Sequence, residues 1–157
     1  MVPEPSWNPC PAISLWQPWA SLWVVSPRIK WHETRHWPAP PRFIGRRILV
    51  HAAKTREGIR DAEDDPDLAA LCAERFGDGW ATSLPMGGFI GSLVLASSER
   101  MNSGSVGRTP EDLLCGNWAP GRHAWLGESP RVWPMRPATG RQGFWMVDTS
   151  EFLELSA

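Results

Sequence analysis

The amino-acid sequence predicts one α+β domain, a small mixed β-barrel with two to four short helices inserted around it. The chain has 157 residues, a length at which one hydrophobic core is sufficient. Its 16 prolines disfavour long helices and favour short strands joined by rigid turns. Short apolar or alternating segments recur along the chain with turn residues between them. We place the domain at 11–150, between a flexible N-terminal arm (1–10) and a C-terminal tail (151–157).

The expected strands are short apolar or alternating runs bounded by glycine, proline or charged residues. The pattern is clearest at 46–53, where Ile48-Leu49-Val50 forms an apolar centre. The other expected strands are 12–15, 30–37, 89–97, 123–126, 131–135 and 144–147.

Prolines and capping residues mark the expected helices. A helix over 18–25 would begin with a proline, which a first helical position tolerates because its N–H needs no partner. Residues 56–76 have a helical rhythm of apolar side chains that breaks at Pro66, which predicts two short helices. Thr109 and Pro110 have the pattern of an N-cap followed by the first residue of another short helix.

Charge is unevenly distributed, although the net charge is only −1. Residues 28–60 contain nine Lys or Arg and two Glu, whereas residues 61–78 contain seven Asp or Glu and one Arg. This distribution predicts a polyanion-binding face followed by a solvated acidic helix elsewhere.

Composition also excludes several classes of protein. The three cysteines lack C-x-x-C spacing, which argues against a disulfide framework and a thiolate metal site. The N-terminus lacks the basic and apolar segments of a signal peptide, and no apolar run reaches the ~18 residues of a membrane span. No P-loop, Rossmann or G-x-S-x-G motif is present. We therefore expect a cytoplasmic protein that does not enter membranes and needs no cofactor.

One pattern carries chemistry: a Gln17-Pro18-Trp19 turn followed by Lys30-x-x-Glu33-x-Arg35. It resembles the signature of the ASCH family in the PUA-like superfamily, which is a strand, a Gln-Pro-Trp-like turn and helix, and then G-x-K-x-x-E-x-R. Arg28 stands where the family has the glycine. Other segments similar to the family are 46–54, 88–93, 122–126 and 140–145, so that the resemblance covers about residues 11–148.

The resemblance implies a PUA-like β-barrel with a cleft where the first helix meets the strand bearing Lys30. Members of the superfamily bind RNA or modified nucleobases, and some ASCH proteins hydrolyse N4-acetylated cytidine or RNA. The partner expected here is single-stranded RNA or DNA, or a nucleoside. The expected nucleotide-binding residues are Gln17, Trp19, Lys30, Glu33, Arg35 and Trp37, with Lys30 and Glu33 as candidate catalytic residues.

These residue types suit a nucleotide. Lys30 and Arg35 can bind phosphate, and Glu33 can accept a hydrogen bond from the exocyclic amino group of a base. Trp16, Trp19, Trp31 and Trp37 are candidates for stacking. Since strand alternation puts Glu33 and Arg35 on one face and Lys30 on the other, Lys30 must belong to the turn before the strand.

The segment from His32 to His36 matches H-E-x-x-H, which binds zinc only when a helix brings both histidines onto one face. Pro38 ends any helix just after His36, and in a strand the two histidines would lie ~13 Å apart. We expect no zinc site here.

Three functions remain open. The first is a module that binds RNA or a modified nucleotide. The second is a hydrolase acting on N4-acetylcytidine or RNA, in which Lys30 activates a nucleophile or water and a carboxylate, Glu33 or the more distant Glu111, moves protons. The resemblance weighs against it, since the family's amidohydrolases have Thr at the position of Glu33. The third is a protein-interaction domain with a tryptophan-rich surface.

Overall fold

The computed structural model describes residues 8–102 and 108–150, which form an α+β fold with one six-stranded mixed sheet. The strands are β1 (Cys10–Leu15), β2 (His32–Arg35), β3 (Arg47–Ala52), β4 (Gly88–Arg100), β5 (His123–Pro137) and β6 (Phe144–Val147). The helices are α1 (Trp19–Val24), α2 (Glu57–Glu63), α3 (Pro66–Phe76), α4 (Trp80–Ser83) and α5 (Pro110–Leu114), with a 3-10 helix at Pro41–Phe43. The predicted C-terminal tail (151–157) and most of the predicted N-terminal arm (1–10) lie outside the described residues.

The strand order of the sheet is β2-β5-β4-β3-β1-β6. β1 and β3 are parallel, and the other neighbouring strands are antiparallel. A parallel pair needs a long crossover connection, which here carries α1 and β2. The crossover therefore contains both the Gln-Pro-Trp turn and the Lys-x-x-Glu-x-Arg segment.

The prediction of a closed β-barrel is wrong, because no ladder joins the edge strands β2 and β6 in the described part of the chain. The sheet nevertheless curls, since Trp125 on β5 stacks on Phe144 on β6 with ring centroids 5.7 Å apart. Phe144 also contacts Phe43, at 5.0 Å between centroids. Aromatic side chains thus pack inside the curled sheet, whereas closure into a barrel would require backbone hydrogen bonds between its edge strands.

The described residues form five α-helices, one more than the upper limit predicted. The two helices expected over 56–76 are confirmed as α2 and α3, and Asp65 caps α3 by accepting from two N–H groups of its first turn. The predicted cap Thr109 is also confirmed, since its hydroxyl accepts from the N–H of Asp112 at 3.1 Å. The additional helix, α4, has four residues, too few for a helical period to show in the sequence. None of the described helices is long and apolar enough to cross a membrane.

The core has a sheet layer and a helical layer, and α1 packs against both. Trp23 of α1 joins the cluster on the sheet, with Trp125 and Ile48, whereas Leu22 joins the cluster among the helices, with Ile59. All five of these side chains are fully buried. The position of α1, and of the turn that leads into it, is therefore fixed from two sides.

Gly58 in α2 packs directly against the Gln17-Pro18-Trp19 turn. A Cβ atom at this position would lie 2.7 Å from the Trp19 ring and 2.8 Å from the Trp16 Cβ, and closer still to the Gln17 carbonyl oxygen. Glycine to alanine usually stabilises a helix by about 1 kcal/mol, but here overpacking reverses the sign. We expect Gly58→Ala to lower the free energy of unfolding by about 1–3 kcal/mol in urea denaturation.

Gly79→Ala is the matched control, because a Cβ there would meet nothing within 4 Å and the backbone is not in the left-handed region. A stabilised Gly58→Ala variant would contradict the close packing of α2 on this turn.

Candidate functional site

An open cleft of about 740 Å³ lies beside β2, between the turn after β1, helices α2 and α3, and the segment after α5. We call it the first cleft. Four of the predicted site residues line it: Trp19, Lys30, Glu33 and Arg35. The structure therefore brings together the charged residues of the motif, which the sequence alone only spaces along the chain.

The centre of the first cleft is a chain of three charged side chains. Lys30 Nζ donates to Glu33 Oε1 at 2.5 Å, and Arg35 Nε donates to Glu33 Oε2 at 2.8 Å. The side chains of Lys30, Glu33 and Arg35 are 1%, 11% and 22% exposed, so that the chain runs from the interior outward. Each carboxylate oxygen of Glu33 accepts one of these bonds and retains capacity for a second.

Lys30 lies two residues before β2, in the turn, as the alternation argument predicted. Its backbone N–H donates to the carbonyl of Leu22 in α1, at 3.3 Å. Because Lys30 is outside the strand, its side chain need not follow the strand alternation and can lie on the same side as Glu33. Arg28, in the same segment, does not adopt positive φ, and its guanidinium donates to the Gly127 carbonyl at 2.6 Å.

Burial alone would raise the pKa of Glu33, but the positive charges of Lys30 and Arg35, and the hydrogen bonds from both, bring that pKa below its ordinary value. Glu33 is therefore an anion at neutral pH. The cleft accordingly offers a fixed carboxylate acceptor between two cations.

Asp112, in α5, is a buried carboxylate that the sequence interpretation missed. It accepts hydrogen bonds from the backbone N–H groups of Trp31 and His32 and contacts His32 Nδ1 at 2.6 Å. These bonds hold the start of β2 and hence the neighbouring motif residues. The sequence signal for Asp112 is its place in the first turn of the predicted helix. The neighbouring candidate Glu111 is exposed and lies outside the first cleft.

The remaining predicted residues lie apart from this charged centre. Gln17 is fully buried, and its amide bonds Ser21 and the Pro85 carbonyl, so that it shapes the turn and does not line the cleft. Trp37 is exposed and belongs to a neighbouring cleft. Trp31 lines neither cleft and lies under the Arg28 guanidinium, 4.1 Å from its ring centroid.

The acidic segment was predicted to lie away from the binding face, and this prediction is wrong. Asp61 and Asp65 of that segment line the first cleft. α2 and α3 pack against the Gln-Pro-Trp turn through apolar side chains, which brings the second half of α2, the link between the helices and the first turn of α3 to the cleft. Cys115 also lines the cleft, and burial raises its pKa to about 11, so that it is a neutral thiol and a poor nucleophile.

A second cleft, of about 1120 Å³, adjoins the first and is bounded by the end of β3 and the loop between β5 and β6. His51 at its base is buried, and its Nε2 bonds the Ala138 carbonyl at 2.7 Å, which requires the proton on Nε2. Its Nδ1 therefore accepts from the Ser14 hydroxyl at 2.9 Å. Burial lowers the pKa of His51, so that the neutral ring ties the loop to β1.

The H-E-x-x-H match lies on β2 and the residue after it, not on a helix. His32 is held by Asp112, whereas His36 is close to the Arg122 guanidinium, at 3.1 Å. Over residues 8–102 and 108–150, no group of three or more His, Cys, Asp or Glu side chains is placed to hold a metal ion.

The arrangement can bind an anion through Arg35 and can accept a hydrogen bond through Glu33, at the bottom of a cleft with a tryptophan wall. No protein-family model and no curated protein sequence matches this chain.

Proposed function

We propose that the chain is an ASCH domain of the PUA-like type that binds a base of single-stranded RNA, or a modified nucleoside, in the first cleft. The observation that carries the proposal is the chain of charges formed by Lys30, Glu33 and Arg35 at the centre of an open cleft.

Stability alone is a poor reason for this chain of charges. Removing ions from water costs several kcal/mol per ion, and a buried ion pair is often no more stabilising than apolar residues of the same size. Burial of Lys30 at 1% exposure is therefore expensive, and a cluster of this kind in a cleft is typical of a functional site.

The free hydrogen-bonding capacity of the cleft matches a nucleotide. Glu33 can accept from an amino group such as that of cytosine, and the outer N–H groups of Arg35 can donate to a phosphate. Trp19 and Trp16 on the cleft wall supply aromatic surface for the base. Of the residues that resemble the ASCH signature, Trp19, Lys30, Glu33 and Arg35 line the cleft.

Hydrolysis of an acylated cytidine or of RNA is a second candidate, favoured by the 2.5 Å contact between Lys30 and Glu33. An ammonium and a carboxylate in direct contact can pass a proton during catalysis. Glu111 is not the second carboxylate of such a site, because it is exposed and outside the cleft.

Binding is expected to be micromolar or weaker and to weaken with salt, because cations in the site displace counterions from the strand. The experiment is fluorescence anisotropy of a labelled single-stranded RNA decamer between about 50 and 200 mM salt, where log Kd should rise by about 0.7 per phosphate contact for each unit of log salt. A duplex of the same sequence, whose bases are paired, should bind more weakly. Equal affinity at both salt concentrations would remove the electrostatic part of the proposal, and no binding at low salt would overturn it.

A further inference from the structure

The first and second clefts are neighbours that share three lining residues, Ser14, Trp16 and Arg35. Arg35 is placed at the junction: its Nε bonds Glu33 in the first cleft, and its guanidinium carbon lies 5.7 Å from the Trp37 ring centroid in the second. A complete small-molecule site spans about 300–1,000 Å³, so that the first cleft, at about 740 Å³, lies within this range and the second, at about 1120 Å³, slightly exceeds it. A free nucleoside therefore needs only one of them.

The two clefts differ in charge. The first has three carboxylates in its lining, whereas the described lining of the second has Lys54, Arg141 and Arg35 and no carboxylate. Lys54 and Arg141 are exposed and form no ion pair with any residue that the structure describes. Cations that lack a partner, on walls that lack carboxylates, attract a polyanion.

Two tryptophans line the second cleft with high exposure. Trp16 is 44% exposed and Trp37 is 49% exposed, although large apolar side chains are usually more buried. Aromatic rings next to a cationic groove are the combination with which proteins bind single strands, since bases stack on the rings and phosphates contact the cations.

We propose that the second cleft holds the sugar-phosphate backbone and the flanking bases of a single-stranded nucleic acid whose recognised base occupies the first cleft. This inference rests on the proposed function of the first cleft and assigns a second site on the protein to the nucleotides that flank the recognised base. Lys54 and Arg141 contact phosphates, and Trp37 stacks on a flanking base.

The test is a length series of cytidylates with one, two, four and six nucleotides, titrated against the full chain by isothermal calorimetry. Affinity is expected to rise at least about fivefold from one to four nucleotides, the low end of the range for one stacked base. In the double variant Lys54→Ala/Arg141→Ala the gain with length should become smaller, because only the stacking on Trp37 remains, while the affinity for cytidine monophosphate stays within about twofold. The control is Arg42→Ala/Arg60→Ala, which removes the same charge from exposed residues outside both clefts and should retain the gain.

The possible failures are distinguishable. If no cytidylate of any length binds, the proposed function and this inference both fail. If the mononucleotide binds as tightly as the tetranucleotide, or if the control variant loses the gain with length as fully as the test variant, the second cleft does not hold the strand and only this inference fails.

Discussion

Replacing Glu33 with alanine is expected to lower the free energy of unfolding by about 3–5 kcal/mol, the cost of leaving a buried charge without its partner. Lys30 is 1% exposed, and Glu33 is the acceptor described for its ammonium group. The variant would also deprive Arg35 of its carboxylate partner. Urea denaturation followed by tryptophan fluorescence measures the change.

The matched control is Glu99→Ala, which breaks an exposed ion pair with Arg108 whose N–O distance is 3.4 Å. The Glu99 side chain is 72% exposed, and a pair of this kind contributes about 0–1 kcal/mol. Equal losses in the two variants would show that Lys30 is not buried as an ion pair.

Acid provides an independent readout of the same contact. Because the pKa of Glu33 is lower in the folded chain than its ordinary value of about 4.3, the pair stabilises the fold fully above that pH. This stabilisation is lost as the pH falls below that value and through the pKa of Glu33 in the folded chain. Glu33→Ala has no such carboxyl, so that the difference in stability between wild type and variant should shrink over this range.

Local elements were largely predictable from the sequence. Proline and capping signals identified α2, α3 and α5, and the apolar run Ile48-Leu49-Val50 identified β3. The expected strands over 123–126 and 131–135 are one strand, β5, because its register shifts against β4 allow pairing to continue through the Gly127–Pro130 turn residues. Such irregular pairing depends on the partner strand, and no pattern within the segment itself reveals it.

The charged centre of the site was predictable, whereas its surroundings were not. Lys30, Glu33 and Arg35 are close in sequence and resemble a known signature, so that their proximity could be inferred. Asp112 is about 80 residues away from the strand that it holds, and its role depends on how α5 packs. A lysine in a turn is usually exposed, and the depth of Lys30 appears only when α1 and β2 are seen together.

The burial of Lys30 changes what can be concluded from substituting it. With an exposed side chain, Lys30→Ala would affect function and leave stability unchanged. With the side chain buried, the same change also opens a cavity and leaves Glu33 with Arg35 alone, so that loss of activity could follow from loss of folding. A change that preserves shape at Glu33 is the sharper test of function.

Glu33→Gln is that change, and it is expected to raise the Kd for cytidine-containing single strands by about 5–150-fold, the equivalent of one specific base contact of about 1–3 kcal/mol. The amide oxygen of glutamine can still accept from Lys30. The amide nitrogen takes the place of the second carboxylate oxygen, so that a donor now faces Arg35 or the ligand. Glu111→Gln is the control, because it removes the same charge from an exposed residue outside the cleft. Urea denaturation of both variants verifies that binding is compared between folded proteins.

The same variant separates recognition from hydrolysis. If Glu33 accepts from the base, affinity falls for strands with cytosine, and the loss is smaller for strands of uracil, which has no amino group to donate. If Glu33 carries a proton in catalysis, binding is retained and turnover of N4-acetylcytidine, measured by chromatography of the cytidine released, falls steeply. The pH–rate profile of the residual activity then has no acid limb. If affinity and turnover both remain at the level of Glu111→Gln, Glu33 only holds Lys30 and Arg35 in place, and neither base recognition nor proton transfer can be assigned to its carboxylate.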